Sequence, residues 1–423
     1  MSQQDGISFD NTEYAFAYKS GKELRQARFL FSSMGYGWLV NLGTRLTPWA
    51  LKIGLPIKGL IRETIFRQFV GGETLAETAL VADRLQKFGV KVILDYGVEG
   101  KEGESSFDHA CEEFIRVINY AGSQQNMPFM SVKVTGIARF GLLEKLDKAS
   151  TDKSGFEGRV HTEVLTTEEI EEWNRVVNRM DRIIATAAQK NVCVLIDAEE
   201  TWIQDPVDAV TMQMIEKYNR GRVVVYNTIQ LYRHDRLAFM KDSAEAAKQK
   251  GAIPGFKLVR GAYMEKERRR AEEVGYPSPI QPTKAATDKD YNQAVEYCIQ
   301  HINDLAVIVA SHNENSNLLT TELLDQHGMP HDHPRVHFSQ LYGMSDNITF
   351  NLAKAGFSVS KYLPFGPIGD VIPYLMRRAE ENSSVSGQTG RELGLIKKEM
   401  ERRRGNVKER LPAKDAREQR TVE

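Results

Sequence analysis

The chain has 423 residues, of which 41% are hydrophobic, and its 56 basic and 57 acidic side chains give a formal net charge of −1. Such a balance creates no global field that would attract nucleic acid, so we expect no nucleic-acid partner. The three cysteines, Cys111, Cys193 and Cys298, are far apart and odd in number, which argues against a disulfide framework or a cysteine zinc site.

The N-terminal segment, MSQQDGISFDNTEY, is acidic and polar. It has neither the basic and apolar regions of a secretory signal nor the arginines of a mitochondrial presequence. No run of about 18 uninterrupted apolar residues occurs, so no transmembrane helix is predicted. We therefore expect a cytoplasmic protein in a reducing compartment.

Three regions follow one another along the chain. Residues 20–80 are rich in Leu, Phe, Trp and Gly and predict helices. The middle of the chain alternates short apolar, β-branched runs with long helical patterns, which is typical of parallel strands buried on both faces. The predicted strands are Val90–Tyr96, Phe129–Thr135, Val192–Glu199, Val223–Gln230, Phe256–Tyr263, Val307–Asn313, Val336–Leu341 and Ser358–Phe365. The clearest predicted helices are 105–121, 167–190, 234–250, 285–304 and 369–381.

Eight strands alternating with helices predict an α/β fold, a (β/α)8 TIM-type barrel with an N-terminal helical extension and a charged C-terminal tail. The alternative is an open doubly wound sheet, but the Gly-rich phosphate turn that it often carries is absent. We expect a helical arm over 1–85, the barrel catalytic domain over 86–395, and a charged tail over 396–423 that forms a solvated, fraying helix.

Polar side chains stand at the carboxyl ends of the predicted strands, where such barrels place their active sites. They are Lys133, Asp197, Gln230, Lys257, Arg260, His312, Gln340 and Tyr362. A lysine flanked by valines, as in SVKVTG, needs an anionic ligand or a carboxylate neighbour.

Several of these side chains have alternative explanations. Lys133 could form a structural ion pair with Asp197, and Asp197 could cap the helix that follows it. Lys257 and Arg260 are three apart, so a regular strand sends them to opposite faces, with one facing the pocket. A lone strand-end histidine such as His312 is more often a core group than a ligand.

No metal site is expected. The histidines of the loop and strand that follow residue 326 lack the i, i+4 spacing of a helical metal site. They are His327, His331, His333 and His337.

Adjacent arginines, Arg377 and Arg378, border the apolar face of the last predicted helix in YLMRRAEEN. The alternative is i, i+4 pairing of Arg377 with Glu381. Guanidinium groups bind planar anions bidentately, so with Lys133 they predict a clamp for a small carboxylic acid. No hydrolytic triad, metal set or Walker lysine accompanies them, which indicates cofactor chemistry.

Five segments, in order, resemble successive motifs of the proline dehydrogenase family, and the resemblance runs from about residue 70 to 395. They are VLIDAEE, KLVRGAY, VASHNE, FSQLYGM and YLPFGPIGDVIPYLMRRAEEN. The match is to the stand-alone, mitochondrial-like branch. It implies an FAD-dependent oxidoreductase of proline catabolism that oxidises L-proline to Δ1-pyrroline-5-carboxylate.

The resemblance also implies roles for residues. Arg377, Arg378 and Lys133 would hold the proline carboxylate, and Tyr362 would pack on the ring, with Tyr263, Ala262 and Leu341 nearby. Asp197 and Lys257 would act near the flavin. The residues implied to contact FAD or its immediate network are Asp197, Gln230, Lys257, Arg260, Gly261, Ala262, Ser311 and His312, with Lys284 and Thr287 near the adenosine half.

The family usually passes its electrons to membrane quinones, so we expect a quinone or another electron acceptor as a partner. The apolar and basic residues within 28–70 could form an amphipathic segment that meets the inner face of a bacterial membrane; the alternative is helices that pack on the barrel. Glu99, just after the first strand, could pair with Arg377 across the bound ligand as a gate.

Three rival functions remain. A hydroxyproline dehydrogenase would use the same scaffold, but the ring of Tyr362 would crowd a 4-hydroxyl group. A flavin-free barrel scaffold is opposed by the intact set of polar residues. A folate-linked flavin reductase does not need the paired arginines, which suit a compact amino acid.

Overall fold

The computed structural model describes residues 7–38, 40, 42–44, 57–97, 102–150, 154–384 and 386–410. The predicted gate residue Glu99 lies outside the described residues. So do five apolar residues of the predicted amphipathic segment, Leu39, Trp49, Leu51, Ile53 and Leu55.

Eight parallel strands close into a barrel in chain order, with the first strand paired to the eighth. Each of the eight predicted strands overlaps an observed one, so the (β/α)8 prediction is confirmed and the open sheet is excluded. The strands are β1 (Lys91–Tyr96), β2 (Phe129–Val132), β3 (Cys193–Ile196), β4 (Val225–Gln230), β5 (Gly255–Val259), β6 (Ala306–Ala310), β7 (Val336–Leu341) and β8 (Val359–Phe365).

Helices surround the barrel and precede it. They are α1 (Thr12–Ala15), α2 (Gly21–Met34), α3 (Lys58–Ile61), α4 (Arg67–Phe69), α5 (Leu75–Gln86), α6 (Glu104–Ala121), α7 (Phe140–Ala149), α8 (Thr167–Lys190), α9 (Thr201–Tyr218), α10 (Arg236–Gln249), α11 (Met264–Val274), α12 (Lys284–Gln300), α13 (Glu314–Gln326), α14 (Asp346–Lys354), α15 (Ile368–Ser384) and α16 (Ser386–Arg410). A π-helical segment, Arg62–Phe66, joins α3 to α4. Short 3-10 helices are Val134–Gly136, Ser154–Glu157 and Thr162–Val164.

The barrel interior is apolar toward the amino ends of the strands and polar toward their carboxyl ends. The apolar layer is a buried cluster that includes Ile93, Phe129 and Leu195. Because side chains on a strand alternate between faces, the inward positions two residues further on are Asp95, Ser131 and Asp197. The polar side chains therefore collect at the carboxyl ends of the strands.

A second core attaches the arm to the barrel. A capping box at Ser20 begins α2, whose apolar residues Leu24 and Phe31 join a buried cluster with Leu375 of α15 and Ile396 of α16. Of the two explanations for the arm, packing on the barrel therefore holds for this face of α2.

The predicted charged tail differs from the expectation as far as residue 410. It forms a continuous helix, and Ile396 and Glu399 on it are buried. Glu399 pairs with Arg402 at 2.8 Å and Arg403 at 2.7 Å, and Arg403 donates to the carbonyl oxygens of residues 16 and 19, both at 2.8 Å. Glu399, Arg402 and Arg403 are thus paired with one another and with the N-terminal segment, whereas Lys397, Glu401 and Arg404 are exposed as expected. The division into arm, barrel and tail stays a prediction.

None of the helices in the described ranges is both long and apolar enough to cross a bilayer.

Candidate active site

Asp197 lies at the centre of the barrel mouth, one residue beyond β3. Its Oδ1 is 2.5 Å from the Nζ of Lys257, and its Oδ2 is 3.3 Å from the Nζ of Lys133 and accepts a hydrogen bond from the Tyr362 hydroxyl at 2.8 Å. Burial alone would raise the pKa of Asp197, but the charges of Lys257 and Lys133 outweigh it and hold that pKa well below its usual value. Asp197 is therefore an ionised carboxylate shared by two cations.

The structure supports the alternative explanation of Lys133, an ion pair, but not that of Asp197, helix capping. Lys133 is indeed ion-paired, to Asp197 and, at 3.6 Å, to Asp95 on β1. Asp197 does not cap the next helix, because the N-cap residue of α9 is Glu200. The sequence did not single out Asp95, although its position two residues after an inward apolar residue was a usable signal.

Tyr362 reaches the same cluster from β8. Its hydroxyl also contacts the Ser131 hydroxyl on β2 at 3.1 Å, and the Nζ of Lys257 lies 5.3 Å from its ring centroid. Burial and the Asp197 carboxylate raise the pKa of Tyr362 well above its usual value. The ring is thus held by hydrogen bonds to Ser131 on β2 and to Asp197 just after β3.

The two cations at the end of β5 diverge, as their spacing predicts. Lys257 points into the barrel, whereas Arg260 pairs with Asp288 on α12, donates to the Ser316 hydroxyl at 2.7 Å and stacks 3.9 Å from the Tyr291 ring centroid. Outside the ring of strands, Arg260 and its partners Asp288 and Ser316 therefore form a second wall of the mouth.

Two buried polar atoms on this wall have no hydrogen-bond partner within the described ranges. They are the Nε of Arg260 and the hydroxyl of Thr287. Gly261 beside them has a φ of +91°, and among the described residues the atom nearest to the place of a Cβ, apart from its chain neighbours, is the sulfur of Met264 at 3.9 Å. Lys284 is exposed and pairs with Asp288 at 2.5 Å. The wall therefore combines donors with open space.

Gln230 and His312 are engaged by the protein itself. The amide of Gln230 donates to the Glu199 carbonyl at 2.7 Å and to the Tyr232 hydroxyl at 2.9 Å. His312 places its Nδ1 2.8 Å from the Ser345 hydroxyl. Burial, assisted by Lys361 and Arg378, lowers the pKa of His312 to about 3, so the ring is neutral. Ser311 beside it is buried and accepts a hydrogen bond from the Asn313 backbone.

The remaining predicted substrate residues border the mouth. Leu341 on β7 is the register partner of Tyr362 on β8, and Ala262 and Tyr263 follow β5. Burial and Glu199 raise the pKa of Tyr263, while the charge of Arg377 lowers it, which places Arg377 near that ring. Arg378 is buried, with its guanidinium 5.4 Å from the Tyr374 ring centroid. The side chain of Glu381, the alternative partner of Arg377, lies outside the described residues.

Glu199 is a buried acid that the sequence analysis missed. Its two carboxylate oxygens accept from the Thr135 backbone at 3.1 Å and the Thr135 hydroxyl at 2.5 Å. Burial raises the pKa of Glu199 to about 7. Its position two residues after Asp197 was the available signal.

The histidine cluster does not form a metal site. His331 contacts Asp325 and the Ala355 carbonyl, and His337 points into the barrel, 2.7 Å from the Ser360 hydroxyl. Nowhere in the described part of the chain do three His, Cys, Asp or Glu side chains converge as metal ligands.

Comparison with known proteins matches most of the chain to one family. Residues 79–391 match the family model described as Proline dehydrogenase. Proline dehydrogenase 1, mitochondrial, of Dictyostelium discoideum is 34% identical over 385 residues, which cover 83% of this chain and 67% of that protein. Hydroxyproline dehydrogenase of Xenopus laevis is 30% identical over an alignment of 434 positions, which covers 95% of this chain and 91% of that protein.

A solved structure shares the fold. Proline utilization A (PutA) from Bdellovibrio bacteriovorus, inactivated by N-propargylglycine, superimposes with a TM-score of 0.66 at 20% identity. The match covers 89% of this chain and 36% of PutA, so this chain spans little more than a third of that protein.

Proposed function

The chain belongs to the proline dehydrogenase family and is thereby an oxidoreductase acting on proline, and we propose that it oxidises L-proline to Δ1-pyrroline-5-carboxylate with FAD as the hydride acceptor. The observation that carries the proposal is the buried cluster in which Asp197 joins Lys133, Lys257 and Tyr362 at the barrel mouth. Barrel enzymes do their chemistry at this end of the strands.

The residues on the β5 side fit FAD. Arg260 and Thr287 offer buried donors that need an acceptor, as phosphate and ribityl oxygens provide, and Gly261 leaves room for a flat group. Asp197, Gln230, Lys257, Ala262, Ser311, His312 and Lys284 would complete the site. When bound, FAD supplies the acceptor for the hydride that leaves the proline carbon bonded to nitrogen.

The side of the mouth next to β8 suits the carboxylate of the substrate. Arg377 and Arg378 would clamp the proline carboxylate together with Lys133, because guanidinium groups bind carboxylates bidentately. Tyr362 would pack against the proline ring, with Leu341, Tyr263 and Ala262 around it. Holding the carboxylate fixes the reacting carbon, and Lys133 and Lys257 would stabilise negative charge that develops at the mouth.

The proposal extends to the second half-reaction, in which a quinone or another acceptor takes the electrons. Phe29, Trp38 and Leu60 on the arm are about 70% exposed, and Lys22 and Arg25 share the exposed face of α2 with Phe29. Exposed apolar groups accompanied by cations favour peripheral contact with an anionic membrane, here the inner face of a bacterial membrane.

Sedimentation with phosphatidylglycerol vesicles tests the membrane contact. The double variant Phe29→Ser/Trp38→Ser should lose most of the binding, whereas Leu80→Ser, an equally exposed leucine on α5, should keep it. Equal vesicle binding by the wild type, the double variant and Leu80→Ser would contradict the proposed membrane contact.

Hydroxyproline is the second candidate substrate, favoured by the similarity to the Xenopus laevis enzyme. Its 4-hydroxyl would meet the ring of Tyr362, which hydrogen bonds to Asp197 and Ser131 keep from turning away. We therefore expect proline to be preferred, and Tyr362→Ser to raise the ratio of trans-4-hydroxyproline to proline turnover about tenfold.

An anaerobic titration tests the whole proposal. The visible absorption of the purified protein is recorded before and after addition of L-proline. A flavin spectrum that bleaches with proline, and hardly with trans-4-hydroxyproline, is the expected result. A flavin that stays oxidised with proline would refute the substrate, and a protein that cannot be loaded with FAD would favour the flavin-free scaffold.

A further inference from the structure

A buried chain of hydrogen bonds joins the C-terminal helix α16 to the loop after β6. The backbone N–H of Ser345 donates to Glu392 of α16, and the Ser345 hydroxyl lies 2.8 Å from the Nδ1 of His312. Both Ser345 and Glu392 are 4% exposed. Neither residue has a part in the reaction proposed above, and they connect a helix outside the barrel to its mouth.

Ser345 adopts a backbone conformation that needs external support. Its φ of +49° is left-handed, a conformation that is unfavourable for a residue with a Cβ. Such a conformation persists where the surroundings hold it. Glu392 accepts a hydrogen bond from the Ser345 backbone. Lys361 binds the residues on either side of Ser345: its Nζ lies 2.5 Å from the Met344 carbonyl and 3.0 Å from the Asp346 carboxylate.

Helix α16 is fixed against both loops that meet here. Arg391, next to Glu392, pairs with Glu314 at 2.9 Å, and Glu314 begins α13 only two residues after His312. Arg391 also pairs with Asp10 at 2.7 Å. Consecutive residues of α16 therefore contact the loop after β6 and the loop after β7, so the helix sets where these loops stand relative to each other.

The state of His312 gives this arrangement a chemical consequence. The ring is partly buried and neutral, and within the described ranges only its Nδ1 has a hydrogen-bond partner. A neutral imidazole carries its proton on one nitrogen, and the bond made by the other nitrogen decides which. A hydroxyl that donates to Nδ1 leaves the proton on Nε2 as a donor for a ligand.

We propose that Glu392 is a positioning residue for the cofactor site: it holds Ser345 so that the Ser345 hydroxyl donates to His312 Nδ1, and His312 offers its Nε2–H to the bound cofactor. The inference rests on the proposed function, because it takes His312 as a contact of FAD. It assigns to the C-terminal helix a part in cofactor binding.

Three variants separate the steps of this chain. Ser345→Gly removes the hydroxyl but keeps the backbone N–H, and glycine adopts a positive φ without strain. Glu392→Ala removes the acceptor. Glu392→Gln keeps an acceptor oxygen, and because burial and Asp346 raise the pKa of Glu392 to about 7, a neutral side chain reproduces a state that the protein already visits. The control is Glu401→Ala, which removes an exposed carboxylate from the same helix.

The experiment measures FAD dissociation on dilution of each holoprotein, the position of the flavin absorption bands, and the urea midpoint. We expect Ser345→Gly and Glu392→Ala to bind FAD about tenfold more weakly and to shift the flavin bands, as loss of one hydrogen bond predicts. Ser345→Gly should do so with no loss in the urea midpoint, which a purely structural role of Ser345 would not allow. Glu392→Gln and Glu401→Ala should match the wild type.

A wild type that binds FAD, together with Ser345→Gly and Glu392→Ala proteins of unchanged FAD affinity and spectrum, would overturn this inference alone. Glu392→Gln as impaired as Glu392→Ala would overturn the role of the accepted hydrogen bond. A wild type that cannot be loaded with FAD would overturn the proposed function and this inference with it.

Discussion

The carboxylate of Asp197 on the β3 side of the barrel accepts a hydrogen bond from the Tyr362 hydroxyl on β8 at 2.8 Å. The same carboxylate lies 2.5 Å from Lys257 and 3.3 Å from Lys133. One buried acid therefore fixes an aromatic ring and two cations in a single arrangement. Removing it leaves buried Lys257 without this counter-charge and leaves partly buried Lys133 with its longer ion pair to Asp95.

Asp197→Ala should therefore destabilise the fold and abolish proline oxidation. Breaking a buried ion pair by removing one partner costs about 3–5 kcal/mol, because the remaining charge stays buried. Urea unfolding at pH 7 measures the loss, and the rate of flavin bleaching by proline measures the activity. Asp242→Asn, at an exposed carboxylate of α10, is the control. An Asp197→Ala protein as stable as the control would contradict the central place of this carboxylate.

Tyr362→Phe tests the hydroxyl separately from the ring. The variant keeps the aromatic surface but loses the bonds to Asp197 and Ser131. We expect kcat/KM for proline to fall about tenfold, as for loss of a buried hydrogen bond to a charged group. Tyr36→Phe, at a tyrosine that is 62% exposed on the arm, should leave kcat/KM unchanged.

The strands were predictable because each is short, apolar and buried on both faces, a pattern that is local to the sequence. The divergence of Lys257 and Arg260 followed from strand alternation in the same way. The partners of Lys133 were only half predictable: Asp197 is at a strand end, but Asp95 comes close to Lys133 through the pairing of β1 with β2. Closure brings together positions that no local pattern connects.

The C-terminal helix is a case in which the local sequence pattern predicts the wrong environment. Its segment KKEMERRR carries a dense charge that predicts solvation. In the structure Glu399 is buried beneath Arg402 and Arg403, and the acceptors for Arg403 are backbone carbonyls near residue 16. Those partners are almost 390 positions away along the chain, as the separation of 387 between Arg403 and Phe16 records. A charge pattern alone contains no trace of them.

Glu199→Gln should change how stability depends on pH. Burial raises the pKa of Glu199 from 4.5 to about 7, so the folded state binds this proton more tightly than the unfolded chain. The stabilisation is present below pH 4.5 and is lost as the pH rises through 7. Because glutamine does not titrate, the stability of the variant relative to the wild type should rise between pH 4.5 and 8.

The expected rise is at most about 3 kcal/mol, at 1.36 kcal/mol for each unit of pKa shift. Urea unfolding of both proteins at pH 5, 6, 7 and 8 measures it. Glu322→Gln, at an exposed acid of α13, should show a constant difference from the wild type. A constant difference for Glu199→Gln as well would mean that Glu199 is ionised throughout.

Two aspartates whose ion pairs have similar lengths allow a final contrast between buried and exposed charges. Asp346 lies 3.0 Å from Lys361 and 3.0 Å from Lys19, with all three side chains at most 8% exposed, and it accepts from the Tyr18 hydroxyl at 2.8 Å. Asp304 pairs with Lys248 at 3.1 Å, with both side chains more than half exposed.

Asp346→Asn should lower the free energy of unfolding by about 3 kcal/mol, since Lys361 then keeps its charge in a fully buried site. Asp304→Asn should change it little, because solvent screens an exposed pair. Urea unfolding of both variants in low and high salt decides the matter. Salt should erase the small Asp304 effect and leave the Asp346 effect almost intact, because ions screen only the exposed pair. Equal losses for both variants would mean that the Asp346 cluster, which joins the arm to β8, is hydrated in solution.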